Sequence, residues 1–325
     1  MRGGLVAVTG AGGHLGGNVV EVLLRRGYRV RAVVRRDRRA VEGCGCEVVE
    51  AEVLERGSLE RAFEGADAVV HCAAYVSISG GHGGLVWRVN VEGVRNVLNA
   101  AARVGVWRVV HVSSIHAFRE CGEVVDEKAP LVDGEGSVYD RSKAEGLRVA
   151  AEAAARGQDV VAVCPTGIIG PKDYKPSRMG RFFIALTRGR VPALVEGGFD
   201  WVDVRDVAEG VVAALERGRR GERYVLSGRY VKVAELARAW CGVAGVRAPR
   251  VVVPPGLARI GAGLGGILLP LLPGEPLFTA EAIRALSWRT PVSSERAHRR
   301  LGYVARPLEE TLEDTYRWFK EYGYV

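Results

Sequence analysis

Short β-branched runs alternate with segments of helical periodicity through the first half of the chain. After the apolar run Leu5–Thr9, for example, Leu15, Val19 and Leu23 recur at the spacing of one helix face. Further strand-like runs are Val30–Val34, Glu47–Glu50, Ala68–His71, Arg108–Val112 and Val160–Cys164, with helical patterns at 59–63, 85–104 and 139–156. Such alternation produces parallel β-α-β units with right-handed crossovers. It predicts an α/β fold with a six-stranded, doubly wound parallel sheet of the Rossmann type, whose ligand lies beyond the carboxyl ends of the strands.

This alternation stops after Pro165, where prolines and glycines mark loops. We therefore predict a dinucleotide-binding domain over residues 1–170 and a smaller, mixed α/β substrate-binding domain over 171–325. The chain is expected to return to the first domain at about 201–227, through an ordered segment Trp201–Glu216 and a strand at Arg223–Leu226. A final helix is predicted near Leu308–Tyr322.

The charge balance bears on possible partners. The 325 residues include 46 Lys and Arg against 38 Asp and Glu, which gives a net charge of +8. Nucleic acid or an anionic membrane surface would suit such a balance. The basic residues form no stripe with interleaved aromatic residues, however, so we interpret most of them as solvated surface and predict no nucleic-acid partner.

Cysteine usage and hydropathy bear on the compartment. The six Cys are scattered, and the close pair Cys44 and Cys46 has no second Cys or His pair beside it, so no metal site is predicted. No charged-then-apolar leader is expected, because Gly12 and Gly13 interrupt the first apolar run; these features favour the cytoplasm. The apolar stretch Leu257–Leu272 is shorter than a membrane span of ~20 residues and contains a charge. No stable span is predicted; the stretch is interpreted as a buried or cavity-lining helix, with membrane-surface contact as the alternative.

Gly10, Gly13 and Gly16 form a G-x-x-G-x-x-G pattern between the first strand and the first helix. Small residues let the backbone approach a pyrophosphate, and the helix N-terminus offers free N–H groups and a partial positive charge. With 43 glycines in the chain, the pattern alone is a weak signal. Its position between strand and helix is what identifies a dinucleotide-binding loop.

Two arginines, Arg35 and Arg36, follow the second strand, where an NAD-specific fold has an acidic residue for the ribose hydroxyls. A guanidinium group pairs with a 2′-phosphate through charge-assisted hydrogen bonds. The sequence therefore predicts NADP as the cofactor. Asp37 keeps NAD possible, and a solvated charge run is the alternative interpretation.

Tyr139 and Lys143 are four residues apart, which places them on one helix face. A lysine ammonium favours a phenolate, so we expect the phenol pKa to fall from its usual value of about 10 and allow proton transfer at neutral pH. Ser114 ends the fifth strand and would face the same crevice. A second pair, Tyr316 and Lys320, lies outside the dinucleotide unit and is interpreted as surface and core.

Several motifs occur in chain order: Thr9-Gly-x-x-Gly-x-x-Gly16, His71-Cys-Ala-Ala74, Asn90-Val-Glu-Gly93, Ser113-Ser114, Tyr139-x-x-x-Lys143, Pro165-Thr-Gly-Ile-Ile-Gly-Pro171, Trp201–Ala208 and Arg306–Leu312. With them the chain resembles the extended short-chain dehydrogenase/reductase family, in its NAD-dependent epimerase/dehydratase group. It is most similar to the dihydroflavonol-4-reductase-like reductases. The motifs are specific for the superfamily and uninformative about the substrate.

The resemblance implies roles for individual residues. Ser114, Tyr139 and Lys143 would be the catalytic set: Tyr139 transfers the proton, Lys143 tunes Tyr139 and holds the nicotinamide ribose, and Ser114 positions the carbonyl. The residues expected at the cofactor are Thr9, Gly10, Gly13, His14, Leu15, Gly16, Arg35, Arg36, Glu52, Val53, Ala73, Ala74, Val112, Tyr139, Lys143, Pro165 and Ile168. Those expected at the substrate are Ser114, His116, Tyr174 and Arg178, with Arg205 a further polar candidate. Family members commonly dimerise through the helices that are here at about 85–104 and 139–156, so a homodimer is expected.

Three positions depart from the family pattern. Glu52-Val53 stands where an Asp-Leu pair usually meets the adenine, and His14 replaces an aromatic or aliphatic residue of the glycine loop. Ser114-Ile115-His116 lacks the Thr-Asp-Glu set of the sugar 4,6-dehydratases, which argues against dehydration.

The predicted activity is NADP-dependent reduction of a ketone or aldehyde, with Tyr139 as the proton donor. A nucleotide-sugar epimerase is the alternative, although Arg35 argues against it because epimerases often prefer NAD. A non-catalytic NADP sensor is a third hypothesis, disfavoured by the intact catalytic set. Apolar residues such as Phe182 and Trp201 suggest a partly hydrophobic substrate, with ordinary core packing as the alternative; Arg178 would meet an anionic group.

Overall fold

The computed structural model describes residues 3–77, 80–258 and 279–325. The strands of its main sheet are β1 (Leu5–Thr9), β2 (Arg29–Val34), β3 (Glu47–Glu50), β4 (Ala68–His71), β5 (Arg108–Val112), β6 (Asp159–Pro165) and β10 (Arg223–Leu226). Their order is β10-β6-β5-β4-β1-β2-β3, and every neighbouring pair is parallel. The predicted Rossmann sheet is confirmed, and β10 extends it by a seventh strand.

Helices cover both faces of this sheet, which explains its nearly continuous Val and Ala content. The described helices are α1 (His14–Arg25), α2 (Arg56–Phe63), α3 (Leu85–Trp87), α4 (Gly93–Arg103), α5 (Val138–Ala155), α6 (Arg178–Thr187), α7 (Val204–Arg217), α8 (Val233–Ala244), α9 (Ala280–Ala285), α10 (Glu295–Leu301) and α11 (Leu308–Glu321). One face carries α1 packed on α7, and the other carries α2, α4 and α5. The predicted helix 85–104 contains one π-helical stretch, Arg88–Glu92, between α3 and α4.

A smaller region lies beyond the carboxyl end of β6. It contains a three-stranded sheet of β11 (Arg229–Lys232), β9 (Gly198–Asp203) and β7 (Gly167–Ile169), and a parallel pair of β8 (Ala193–Val195) and β12 (Val251–Val253). Its core is aromatic, with the rings of Phe183 and Trp240 stacked 4.2 Å apart. Of the predicted return segment, Trp201–Asp203 belongs to this smaller sheet. Strand β10 belongs to the main sheet, and α7 packs against that sheet.

Three sequence interpretations concern cysteines and apolar segments. All six cysteines have free thiols. No cluster of metal-ligating side chains occurs among the described residues. The predicted helix 257–272 lies outside the described residues beyond its first two positions. Within the described ranges no helix combines the length and apolar character that crossing a membrane requires.

Candidate active site

A cleft of about 630 Å³ opens at the carboxyl edge of the main sheet, within the size range of small-molecule sites. It brings together residues that are far apart in sequence: the glycine loop after β1, the end of β5, the first turn of α5 and the segment after β6. The predicted residues that line it are Gly10, Gly13, His14, Leu15, Gly16, Ala74, Val112, Ser114, His116, Tyr139, Lys143, Pro165, Ile168 and Arg178. Parallel strands place their carboxyl ends at one edge, which explains why these separate motifs converge.

The glycine loop fits closely against the chain around it. Gly10 has φ +70°, and a Cβ there would lie 2.6 Å from the backbone nitrogen of Ala73. The loop closes through a hydrogen bond from Gly13 N to Gly10 O at 2.9 Å. Gly13 is also the N-cap of α1 and provides no side-chain cap, so the first amides of this helix are available to an anion in the cleft. These residues fit the diphosphate of a dinucleotide.

The residues after β2 form a charged surface beside this loop. The side chain of Arg35 is 65% exposed, and its Nη1 is 3.8 Å from Glu52 Oε2. Asp37 is bonded to Arg39, with Arg39 Nε 2.9 Å from Asp37 Oδ1. The hydrogen bonds and charge of Arg39 hold the pKa of Asp37 below its usual value. The acidic residue near this position is therefore already paired, while Arg35 makes one long contact.

A capping box fixes the first turn of α5 and with it Tyr139. Ser137 Oγ accepts a hydrogen bond from Asp140 N at 3.0 Å, and Asp140 Oδ2 accepts one from Ser137 N at 2.9 Å. This is the S-x-x-D pattern of a helix start. Ser142 Oγ donates to the carbonyl oxygen of Tyr139 at 2.7 Å, and Asn90 Nδ2 donates to Ser142 Oγ at 3.0 Å. These bonds link the first turn of α5 to Asn90 of the π-helical stretch Arg88–Glu92.

Ser114 and Tyr139 both line the cleft, and the Ser114 hydroxyl favours the charged form of the Tyr139 phenol. Ser114 Oγ accepts a bond from the backbone nitrogen of His116 at 3.2 Å. Burial raises the pKa of Tyr139 to about 12, although the Ser114 hydroxyl acts in the opposite direction. The prediction of a lowered phenol pKa is therefore wrong for this arrangement, because burial disfavours the charged phenolate.

Lys143 is buried, and its Nζ donates to the carbonyl oxygen of Val112 at 3.2 Å. Burial lowers the pKa of this ammonium to about 8. The neighbouring Ser113 hydroxyl donates to the Lys143 carbonyl oxygen at 3.5 Å. Ser113 thus contacts α5, while Ser114 faces Tyr139.

Seven predicted residues lie outside the lining of the cleft: Thr9, Arg35, Arg36, Glu52, Val53, Ala73 and Tyr174. Thr9 is buried and hydrogen-bonded through Oγ1 to His71 Nδ1 at 2.7 Å. Val53 packs under Gly93, and its carbonyl oxygen accepts from Asn96. Tyr174 packs edge-on to the rings of Trp318 and Tyr322. Arg36 lies on the exposed surface after β2.

Two candidate polar residues have structural partners. The Tyr174 ring stands against an aromatic cluster, so its proposed substrate contact is not supported. Arg205 pairs with the buried Asp203 at 2.7 Å and with Asp314 at 2.6 Å. These two ion pairs account for an arginine at position 205, so a substrate contact is not needed to explain it.

The structure adds site residues that sequence reasoning missed. Asp140, beside Tyr139, lies 3.1 Å through Oδ1 from His116 Nδ1. From α9 and the segment after it, Glu281, Arg284 and Trp288 line the cleft. The helix-cap pattern Ser137-x-x-Asp140 could have identified Asp140 from the sequence. Glu281, Arg284 and Trp288 belong to no local motif, and only the tertiary fold brings them to the cleft.

A second cavity of about 190 Å³ adjoins the cleft on the side of the smaller region. Six residues line both spaces: His116, Gly167, Arg178, Met179, Phe199 and Ala285. The remaining lining is apolar and comprises Phe182, Trp201, Val233, Ala282 and Leu286. We call this space the apolar side pocket.

A dinucleotide-type sheet with a glycine loop, facing a Ser-Tyr-Lys set across one cleft, defines the class of NAD(P)-dependent oxidoreductases and epimerases. The family described as NAD dependent epimerase/dehydratase matches residues 6–227. The chain belongs to this family.

Known proteins align along almost the whole chain. Sterol demethylase protein B of Methylococcus capsulatus is 36% identical, over 98% of this chain and 99% of its own length. A Synechocystis protein provisionally named a dihydroflavonol 4-reductase is 32% identical, over 98% of this chain and 95% of its own length. The crystal structure of gox2253 superposes with a TM-score of 0.86 at 31% identity, covering 99% of both chains.

Proposed function

We propose that the protein is an NADP-dependent reductase of ketones or aldehydes. The observation that carries the proposal is the presence of Ser114, Tyr139 and Lys143 in the same cleft as the glycine loop. The names of the relatives include reductase chemistry, in keeping with this site. The proposal concerns the reaction type, the cofactor and the general character of the substrate.

The chain's own residues would bind the dinucleotide at the glycine loop. The amides at the start of α1 would hold the diphosphate, and Pro165 and Ile168 would border the nicotinamide. When bound, the reduced nicotinamide supplies the hydride that reduces the carbonyl carbon.

Tyr139 would donate a proton to the carbonyl oxygen as the carbon is reduced, so the product is an alcohol. Ser114 Oγ already accepts a bond from His116 N, which leaves its own proton to hold the same oxygen. The ammonium of Lys143 would stabilise the phenolate left after the transfer. A phenol pKa of about 12 keeps Tyr139 protonated at neutral pH, as a donor requires.

The surface after β2 supports NADP over NAD. Arg35 is exposed and makes one contact of 3.8 Å, to Glu52, so its guanidinium is available to a 2′-phosphate. Asp37, the acid that would favour a free ribose hydroxyl, is bonded to Arg39. Arg36 adds a further positive charge at the same surface.

The apolar side pocket supports a substrate with a hydrophobic body. Phe182, Phe199 and Trp201 are each more than nine-tenths buried, and all three border this space. An apolar ring system of modest size would gain burial there.

We also propose that the protein is a homodimer. The family's dimerisation helices correspond to α4 and α5, and a groove of about 380 Å³ lies between their outer faces, lined by Arg95, Leu98, Asn99 and Val149 among others. Light scattering on the purified chain should give about 70 kDa, twice the 35.0 kDa of one chain; a mass of one chain at micromolar concentration would contradict it.

The reductase proposal is tested by following NADPH absorbance with apolar cyclic ketones, aldehydes and nucleotide sugars. We expect NADPH oxidation with the ketones or aldehydes, and a higher kcat/KM with NADPH than with NADH. Interconversion of nucleotide sugars without net NADPH consumption would contradict the proposal and favour an epimerase.

A further inference from the structure

We propose that Lys175, carried by the segment that follows β7, is a second cation for the 2′-phosphate of NADP, beside the arginines after β2. This inference rests on the NADP preference proposed above and deepens it by adding a residue of the smaller region to the cofactor site. The 2′-phosphate would then be held from two parts of the chain, from the main sheet by Arg35 and from the smaller region by Lys175.

Residues 171–175 lie along α1, the helix that begins at the glycine loop. His14, the first residue of α1, donates through Nε2 to the carbonyl oxygen of Pro171 at 3.0 Å. The Lys172 ammonium forms an ion pair with Glu21, which is about two turns further along the same helix. Two contacts to one helix fix the position of this segment beside the dinucleotide loop.

Contacts inside the smaller region hold the same segment from its other end. The buried Asp173 accepts a hydrogen bond through Oδ2 from Ser177 N at 2.7 Å, which closes the loop that carries Lys175. Tyr324 Oη donates to the carbonyl oxygen of Tyr174 at 2.7 Å. The backbone on both sides of Lys175 is therefore held, so its side chain projects from a fixed place.

The loop after β2 packs against the glycine loop and the start of the same helix. A Cβ on Gly12 would lie 2.1 Å from the carbonyl oxygen of Asp37, and a Cβ on Gly17 would lie 2.8 Å from Ala40 Cβ. Only glycine permits so close an approach of the two backbones. The loop after β2 and residues 171–175 thus both contact the beginning of α1, where the dinucleotide would bind.

The charge of Lys175 reaches the loop after β2. The hydrogen bond from Arg39 is the main cause of the low pKa of Asp37, and the charge of Lys175 lowers this pKa further. Lys175 is exposed, and within the described part of the chain it forms no ion pair or hydrogen bond. Asp37 is already bonded to Arg39. A phosphate of nearly two negative charges beside Arg35 would therefore attract the Lys175 ammonium more strongly than Asp37 does.

The test measures the binding of NADP⁺ and NAD⁺, which differ only by the 2′-phosphate, by titration calorimetry. In Lys175→Gln we expect the ratio of the NADP⁺ affinity to the NAD⁺ affinity to fall about tenfold, as the loss of one charge-assisted contact predicts. Lys175→Arg keeps the charge and should retain most of the wild-type ratio. The ratio isolates recognition of the phosphate, because general damage to the fold weakens the binding of both dinucleotides.

Lys232→Gln is the matched control. It removes the same charge from an exposed lysine of the smaller region, on β11. This variant should keep the affinity ratio within about twofold of the wild type, because its charge is not beside the loop after β2. Added salt should lower the ratio more in the wild type than in Lys175→Gln, since salt screens an exposed charge that the variant lacks.

The two levels of the proposal fail in different ways. An affinity ratio that falls in Arg35→Ser but not in Lys175→Gln would overturn the role of Lys175 and leave the NADP preference standing. An equal loss of NADP⁺ and NAD⁺ affinity in Lys175→Gln, or the same fall of the ratio in Lys232→Gln, would overturn that role as well. Equal wild-type affinity for the two dinucleotides would overturn the NADP preference together with this inference.

Discussion

Replacing Gly10 with alanine tests whether the glycine loop forms the cofactor site. The residue has φ +70°, and the new Cβ would lie 2.6 Å from Ala73 N and 2.8 Å from Ala73 Cα. The left-handed conformation costs an alanine about 1 kcal/mol, and overpacking against rigid backbone costs ~1–3 kcal/mol more. Because the Ala73 segment and the loop both border the cleft, relief of the clash must displace the cofactor surface. We expect the NADPH dissociation constant to rise at least tenfold, or about 1.4 kcal/mol.

Gly27→Ala is the matched control. Gly27 has φ +81°, and a Cβ there would meet nothing within 4 Å. It lies between α1 and β2, at the edge of the sheet opposite the cleft. Urea unfolding should show a loss of about 1 kcal/mol for this variant, and fluorescence titration should show NADPH affinity within twofold of the wild type. Equal NADPH affinity of Gly10→Ala and Gly27→Ala would refute the reasoning.

Three further outcomes are expected. Arg35→Ser should lower kcat/KM with NADPH at least tenfold and leave that with NADH nearly unchanged; an unaltered cofactor ratio would contradict the assignment of NADP. Lys143 is charged below its pKa of about 8 and neutral above it, so kcat for reduction should be level at lower pH and fall about tenfold per pH unit above 8; a profile level to pH 10 would show that its charge is not needed. Arg306→Ala removes a partner of Asp206 at 2.7 Å and of the fully buried Asp203 side chain at 3.6 Å and should destabilise the fold by about 3 kcal/mol in urea unfolding, whereas Arg299→Ala, on an exposed pair with Glu295, should change stability by less than about 1 kcal/mol.

The sequence predicts those parts of the fold whose apolar residues recur with the local period of a strand or a helix. The strands and helices up to Pro165 alternate clearly enough to define the sheet, and the carboxyl-edge rule then places Gly10, Ser114 and Tyr139 together. The strand Arg223–Leu226 was also predicted, but the small sheet of β7, β9 and β11 was not, because its pairing depends on partners distant in the chain.

Errors at the site came from tertiary packing. The pattern Tyr139-x-x-x-Lys143 indicates proximity but not hydration, and burial reversed the expected direction of the phenol pKa. Tyr174 and Arg205 are polar residues in the expected region, yet an aromatic cluster and an ion-pair network occupy their side chains. Arg284 reaches Asp140 from 144 positions away, a contact that no motif of one sequence reveals.

The proton-donor role of Tyr139 is tested most directly by NADPH oxidation in Tyr139→Phe, with NADPH binding measured on the same preparation. The substitution removes the phenolic oxygen and keeps the ring that packs beside His116. We expect kcat for ketone reduction to fall at least a hundredfold, because a positioned acid contributes 10²–10⁴-fold, while the NADPH dissociation constant changes less than threefold. Wild-type reductase activity in this variant would contradict the account.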